Sequence, residues 1–75
     1  MNSEIQMHDL VAIPEDVAAT HFATGALLTL RRGQIGTVVM TYDGTAFEVE
    51  FADAQGRAFA LLPLAVGKLL LLHDA

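Results

Sequence analysis

Ile35-Gly36-Thr37-Val38-Val39-Met40-Thr41-Tyr42, then Asp43-Gly44-Thr45, then Ala46-Phe47-Glu48-Val49-Glu50-Phe51: these seventeen residues decide the fold. Residues 35–42 are rich in β-branched and aromatic side chains, which suit a pleated, half-buried surface, and they predict a strand. Asp43 and Gly44 both tolerate the positive φ that a tight hairpin turn demands. In the return arm, Phe47, Val49 and Phe51 alternate with Ala46, Glu48 and Glu50. A strand over 46–51 therefore buries one face and turns carboxylates outward on the other.

Toward the C-terminus, Ala52-Asp53-Ala54-Gln55-Gly56-Arg57 supplies a second turn with Gly56 at a left-handed position. Ala58 to Leu62 predicts a further strand, which Pro63 ends or marks as an edge because proline cannot donate to a ladder. Ala65-Val66-Gly67 suits a single 3₁₀ turn, and Lys68 to His73 a last short strand. Toward the N-terminus, Arg31-Arg32-Gly33-Gln34 is a polar turn, and residues 9–13 predict a first strand stopped by Pro14. Between them the regular pattern breaks. Ala18, Ala19, Ala23, Ala26 and Leu27 invite a short helix while Thr20, Thr24 and Gly25 oppose a long one, so residues 14–30 are expected as one long irregular or partly helical loop. Residues 1–7 are expected as a frayed tail. The inventory predicts a mainly β fold: a small, five-stranded Src-homology-3-like (SH3-like) barrel, one domain over 1–75. An OB-type barrel needs an extra helix and longer strands than the chain can supply.

Composition narrows the function. The 75 residues are 53% hydrophobic and 17% charged, with mean hydropathy +0.46. Such a chain is too apolar to remain disordered and, being short, leaves much of its surface uncovered. Leu61, Leu62, Leu64 and Leu69 through Leu72 are more leucine than two alternating strands can bury on one face. A homo-oligomer is expected to cover the surplus. No cysteine is present, so disulfides and thiolate chemistry are excluded. The segment Ala58–Leu72, broken by Pro63, Gly67 and Lys68, falls short of the ~20 apolar residues of a spanning helix, and Glu4 stands where a signal peptide would be basic. A cytoplasmic protein with no membrane partner is expected.

Candidate chemistry is sparse. His8, His21 and His73 lie in three separate segments without metal-ligand spacing, so no metal site is expected. Glu48 and Glu50 stand about 7 Å apart by strand geometry. Without a nucleophile, oxyanion donors or a glycine-rich cleft loop, they form no catalytic constellation. Neither phosphate-cradling glycine motif is present. The reading is a non-enzyme without a cofactor. Arg31, Arg32, Arg57 and Lys68 are all the basic residues, against a net charge of −5, and the negative balance opposes nucleic-acid binding. Arg31 or Arg32 is expected to pair with an acid instead. Glu48 and Glu50, with Asp43 and Asp53 at the turns, should make one side acidic and attractive to a basic protein surface.

Leu30 through Val39, continued by Phe47–Phe51, Gly56-Arg57, Asp9–Ala12 and Leu69–Leu72, resembles an uncharacterised bacterial family of short proteins with a Gly-Thr-Val signature, here Gly36-Thr37-Val38. The resemblance covers most of the chain outside residues 14–29 and implies no chemistry. Gly33-Gln34-Ile35-Gly36-Thr37-Val38 is also similar to the KOW-type motif of ribosomal and transcription-factor barrels, which implies an RNA- or ribonucleoprotein-associated alternative. Physically, Gly33 suits a turn and Gly36 a close strand approach, so Gly33, Gly36, Thr37 and Val38 read as a structural motif. The sequence thus reads as a small interaction module that self-associates and binds a protein partner, as the small member of a toxin–antitoxin pair does. Arg31, Arg32, Glu48 and Glu50 are its candidate partner contacts.

Overall fold

The computed structural model describes residues 5–72, which form seven strands and one 3₁₀ turn. The strands are β1 (Leu10–Ala12), β2 (Val17–Thr20), β3 (Leu27–Leu30), β4 (Ile35–Tyr42), β5 (Ala46–Ala52), β6 (Ala58–Ala65) and β7 (Leu70–Leu71), with the 3₁₀ turn at Val66–Lys68. They make a five-stranded antiparallel sheet in the order β6-β5-β4-β1-β7 and a separate β2-β3 hairpin. The fold is mainly β, with no α-helix among the described residues. The sheet is open, since its outer strands β6 and β7 do not pair with each other. A closed five-stranded barrel was the expectation. Two- and three-residue strands at the β7 and β1 end offer too few ladder positions to carry the sheet round to β6.

The central hairpin follows the sequence reading. β4 and β5 pair from Thr37 opposite Glu50 to Tyr42 opposite Ala46. Both central residues of the turn, Asp43 and Gly44, have positive φ. The 14–30 segment is a correction: it is an antiparallel hairpin, pairing Val17 with Leu30 and Thr20 with Leu27, and not an irregular or partly helical loop. Short-range alternation outweighs alanine's helix preference here. Val17 and Ala19 in β2, and Leu28 and Leu30 in β3, turn toward the core while their neighbours face solvent.

β6 runs past Leu62 to Ala65, because Pro63 stands on an edge strand, where its missing N–H costs no ladder bond. The last strand shrinks from 68–73 to Leu70–Leu71, since the chain is still turning at Lys68; His73 lies outside the described residues. Of the expected tail 1–7, residues 1–4 lie outside the described residues. Ile5 packs against the core, and the His8 N–H donates to the Val38 carbonyl at 2.7 Å.

The core comprises Val11, Ile13, Leu30, Val38, Phe47, Val49, Phe51, Ala60, Leu64 and Leu69. Phe47, Val49 and Phe51 are the inward set that alternation predicts for β5. Two irregularities bend the sheet. Val39 has no partner where the β4–β5 register shifts between Val38 and Met40, and Phe59 has none where the β5–β6 register shifts between Phe51 and Ala52. An extra residue of this kind kinks its strand and frees backbone groups. The Phe59 carbonyl accepts the Phe22 N–H at 3.0 Å, which anchors the tip of the β2–β3 hairpin to β6.

Candidate interaction surface

One face of the five-stranded sheet packs on the core and the other is open. Register places its residues in rows. Leu10, Thr37, Glu50 and Leu61 form one row across four strands, and Met40, Glu48 and Pro63 form the next. Ile35, Ala12 and Leu70 make a third row at the β7 end. Leu10, Ile35, Met40, Leu61 and Leu70 are all exposed. The expected acidic side is therefore an apolar face with a carboxylate pair at its centre. Of the surplus leucines, Leu64 and Leu69 entered the core, while Leu61 and Leu70 stand exposed on strands at opposite margins of this face.

The two glutamates differ in surroundings. The Tyr42 hydroxyl donates to Glu48 Oε1 at 2.8 Å. This bond, with some loss of hydration and the charge of Glu48 adding to it, raises the Tyr42 hydroxyl above the ordinary phenol range. Glu50 has Thr37 and Leu61 as cross-strand neighbours. Among the described residues no cation pairs with either glutamate.

The basic residues lie elsewhere. Arg31 Nη1 stands 4.0 Å from Asp16 Oδ2, and the Arg32 N–H donates to Asp16 Oδ1 at 2.8 Å. Lys68 pairs with Glu15 across the sequence, and Arg57 Nε lies 3.5 Å from Asp53 Oδ2. Only the Arg32 side chain is without an ion pair among the described residues. Asp16, the acid that Arg31 meets, lies in the segment read from sequence as irregular. Its role follows only once β2 and β3 are paired.

Gly33 closes the β3–β4 turn with φ 89°, its N–H donating to the Ile13 carbonyl at 2.7 Å. Gly36 is buried under β5: a Cβ there would meet Val49 Cγ1 at 2.6 Å, Phe51 Cε1 at 2.9 Å and the Glu50 carbonyl oxygen at 3.0 Å. Thr37 faces the open side, paired to both Leu10 and Glu50. Val38 faces the core. The signature thus splits between the two faces of one strand. Among the described residues, no three His, Asp or Glu side chains converge as metal ligands, and no helix is long and apolar enough to cross a membrane.

Asp53 organises the β5–β6 turn. Its Oδ1 accepts the N–H groups of Gln55 and Arg57 at 2.9 Å each. The Arg57 N–H bond contributes most to holding the carboxyl below the ordinary aspartate range, with Gln55 and the Arg57 guanidinium reinforcing it against an opposing loss of hydration. A lowered folded-state pKa favours the fold above the unfolded aspartate value and loses that contribution as pH falls through the folded one. Wild type should therefore melt above Asp53→Ala at pH 7, and the gap should begin to narrow below about pH 4 and go on narrowing as pH falls through the lower folded-state value. Melting curves at stepped pH check this; a gap that stays constant down to pH 3 would show that the carboxylate charge is not what the turn uses.

A family model described as "Domain of unknown function (DUF4926)" matches residues 7–71. No curated protein and no solved structure matches the chain.

Proposed function

The chain belongs to the DUF4926 family, and we propose, from its surface, that it is a non-enzymatic interaction module that self-associates and binds a protein partner on the outer face of its five-stranded sheet. One observation carries the reading: Leu10, Ile35, Met40, Leu61 and Leu70 lie bare on a single face around two carboxylates that no cation meets among the described residues. An exposed apolar surface of this kind marks an interaction site more often than idle surface. Glu48 and Glu50 select the occupant. A basic side chain with an aliphatic stem satisfies the carboxylates and lies along the apolar rows. Complementary charge of this sort sets specificity and association rate more than affinity. The connectivity supports an SH3-like reading without closure: a long hairpin follows the first strand, a three-strand meander comes next, and a 3₁₀ turn precedes a last strand that returns to the first.

The KOW-like alternative draws on Arg31 and Arg32 at the β3–β4 turn, of which Arg32 has no ion pair among the described residues. A single cation gives little counterion release. Affinity purification of the tagged chain from its native host, recovering protein and nucleic acid separately, tests both readings. The expected result is a retained protein that is lost with Ile35→Asp and with Glu48→Lys/Glu50→Lys, while Arg31→Ala/Arg32→Ala retains it. Salt-sensitive RNA recovery abolished by the arginine pair alone would replace the protein-partner reading with the RNA one.

A further inference from the structure

We propose that β3 is the edge through which two copies of this chain join, each pairing its β3 antiparallel to the other's about a two-fold axis. The proposal rests on the self-association part of the function above and gives it a site. A strand edge presents unpaired backbone donors and acceptors, a template for a further strand unless the edge is guarded. The other edges are guarded or short. β6 carries Pro63 in its second half and accepts the Phe22 N–H at Phe59, β2 turns its outer side to β6, which it packs against, and β7 has two residues. β3 has four, Leu27-Leu28-Thr29-Leu30, with no proline, no charge and no register shift against β2.

Hydrogen-bond parity fixes which groups face the opening. The His21 N–H donates to the Ala26 carbonyl at 2.9 Å, so His21 and Ala26 occupy a bonded position of the β2–β3 ladder. Bonded and non-bonded pairs alternate in an antiparallel ladder. The bonded pairs are then Ala19 with Leu28 and Val17 with Leu30. The N–H and C=O of Leu27 and Thr29 point away from β2, toward the open edge. A two-fold axis at Leu28 sets Leu27 of each copy opposite Thr29 of the other. Every one of these groups is then satisfied in both copies.

Charge and exposure agree with this register. Residues 17–30 contain no Asp, Glu, Lys or Arg, in a chain of net charge −5. Two copies therefore approach along this hairpin without the repulsion that would follow from opposing Glu48 and Glu50 on the outer sheet face. Leu27 is 87% exposed, the most exposed large apolar residue of the described chain, and Phe22 on the same hairpin is 56% exposed. Pairing lays Leu27 beside the Thr29 of the second copy and removes part of that apolar surface from water.

Light scattering on the full chain at micromolar concentration, with Leu27→Lys and Thr29→Pro beside wild type, tests the edge. Wild type should give twice the 8.0 kDa chain mass, and both variants should fall to the single mass with unchanged far-ultraviolet circular dichroism. The proline removes no bond to β2, because the Thr29 N–H faces outward. Hydrogen exchange on wild type gives a second reading that needs no variant to fold: the Leu27 and Thr29 amides should become more protected as concentration rises. A monomeric wild type would overturn self-association and this edge together. A wild-type dimer that persists in both folded variants, or whose Leu27 and Thr29 amides exchange at a concentration-independent rate, would overturn the edge and leave self-association standing.

Discussion

Gly36→Val is expected to destabilise the domain by about 3 kcal/mol, the upper part of the range for overpacked interiors. The clash begins at the first atom added, since even a Cβ lands 2.6 Å from Val49 Cγ1 and 3.0 Å from the Glu50 carbonyl oxygen. A methyl on a neighbouring side chain can rotate away. A ladder carbonyl cannot without breaking the β4–β5 pairing beside Thr37 and Glu50. Gly36→Ala should therefore already be harmful, and adding Val49→Ala should recover part of the loss by removing the nearest obstacle. The carbonyl contact and Phe51 Cε1 at 2.9 Å keep the recovery partial. Urea denaturation of the single and double variants gives the coupling directly. An unchanged midpoint for Gly36→Val would show that the strands can separate there at no cost, and the glycine would lose its structural explanation.

The same close approach shows what the sequence made legible. Period-two alternation in residues 46–51 named the inward side chains of β5, and Asp43-Gly44 named the turn before it, because both signals are local and depend on one strand's own faces. Gly36 could be read as a close approach since a glycine in a β-branched run has few other uses. The β2–β3 hairpin was hidden by composition. Ala18, Ala19, Ala23 and Ala26 are weak witnesses to a strand, and only Ala19 is half-buried, by packing on a core drawn from elements far along the chain. The alternation of Leu28 and Leu30 against Leu27 and Thr29 was the available signal, short enough to be masked by the glycine and threonines preceding it. The apolar character of the outer sheet face was equally out of reach. It depends on register, which brings Leu10, Thr37, Glu50 and Leu61 into line from four separate strands, and on a one-residue shift at Val39 that sets Met40 beside Glu48. Read alone, β5 shows two carboxylates; read with its neighbours, it shows two carboxylates in an apolar field.

Phe51→Ala should have the largest effect of any single side-chain truncation in the β5 strand. Phe51 is fully buried, lies against the space over Gly36, and pairs with Ala60 immediately before the register shift at Phe59. Truncating a buried phenylalanine costs about 3–5 kcal/mol, from lost transfer energy and from the cavity left behind. A domain of 75 residues at roughly 0.05–0.15 kcal/mol per residue has about 4–11 kcal/mol in total. The single change therefore removes much of the stability, and the melting temperature should fall by tens of degrees or the cooperative transition should vanish. Relaxation is limited on both sides. Gly36 has no side chain to move into the void, and Ala60 is too small to fill it. Surface ion pairs such as Arg57–Asp53 cannot offset the loss, since exposed charges keep most of their hydration and are screened by salt. Phe22→Ala is the control, because Phe22 is exposed at the hairpin tip and its link to β6 runs through its backbone N–H. Below the self-association concentration it should melt within a few degrees of wild type. If Phe51→Ala melted there too, the core would not be organised around β5, and the assignment of the outer sheet face as the free surface would fall with it, because both follow from the same alternation.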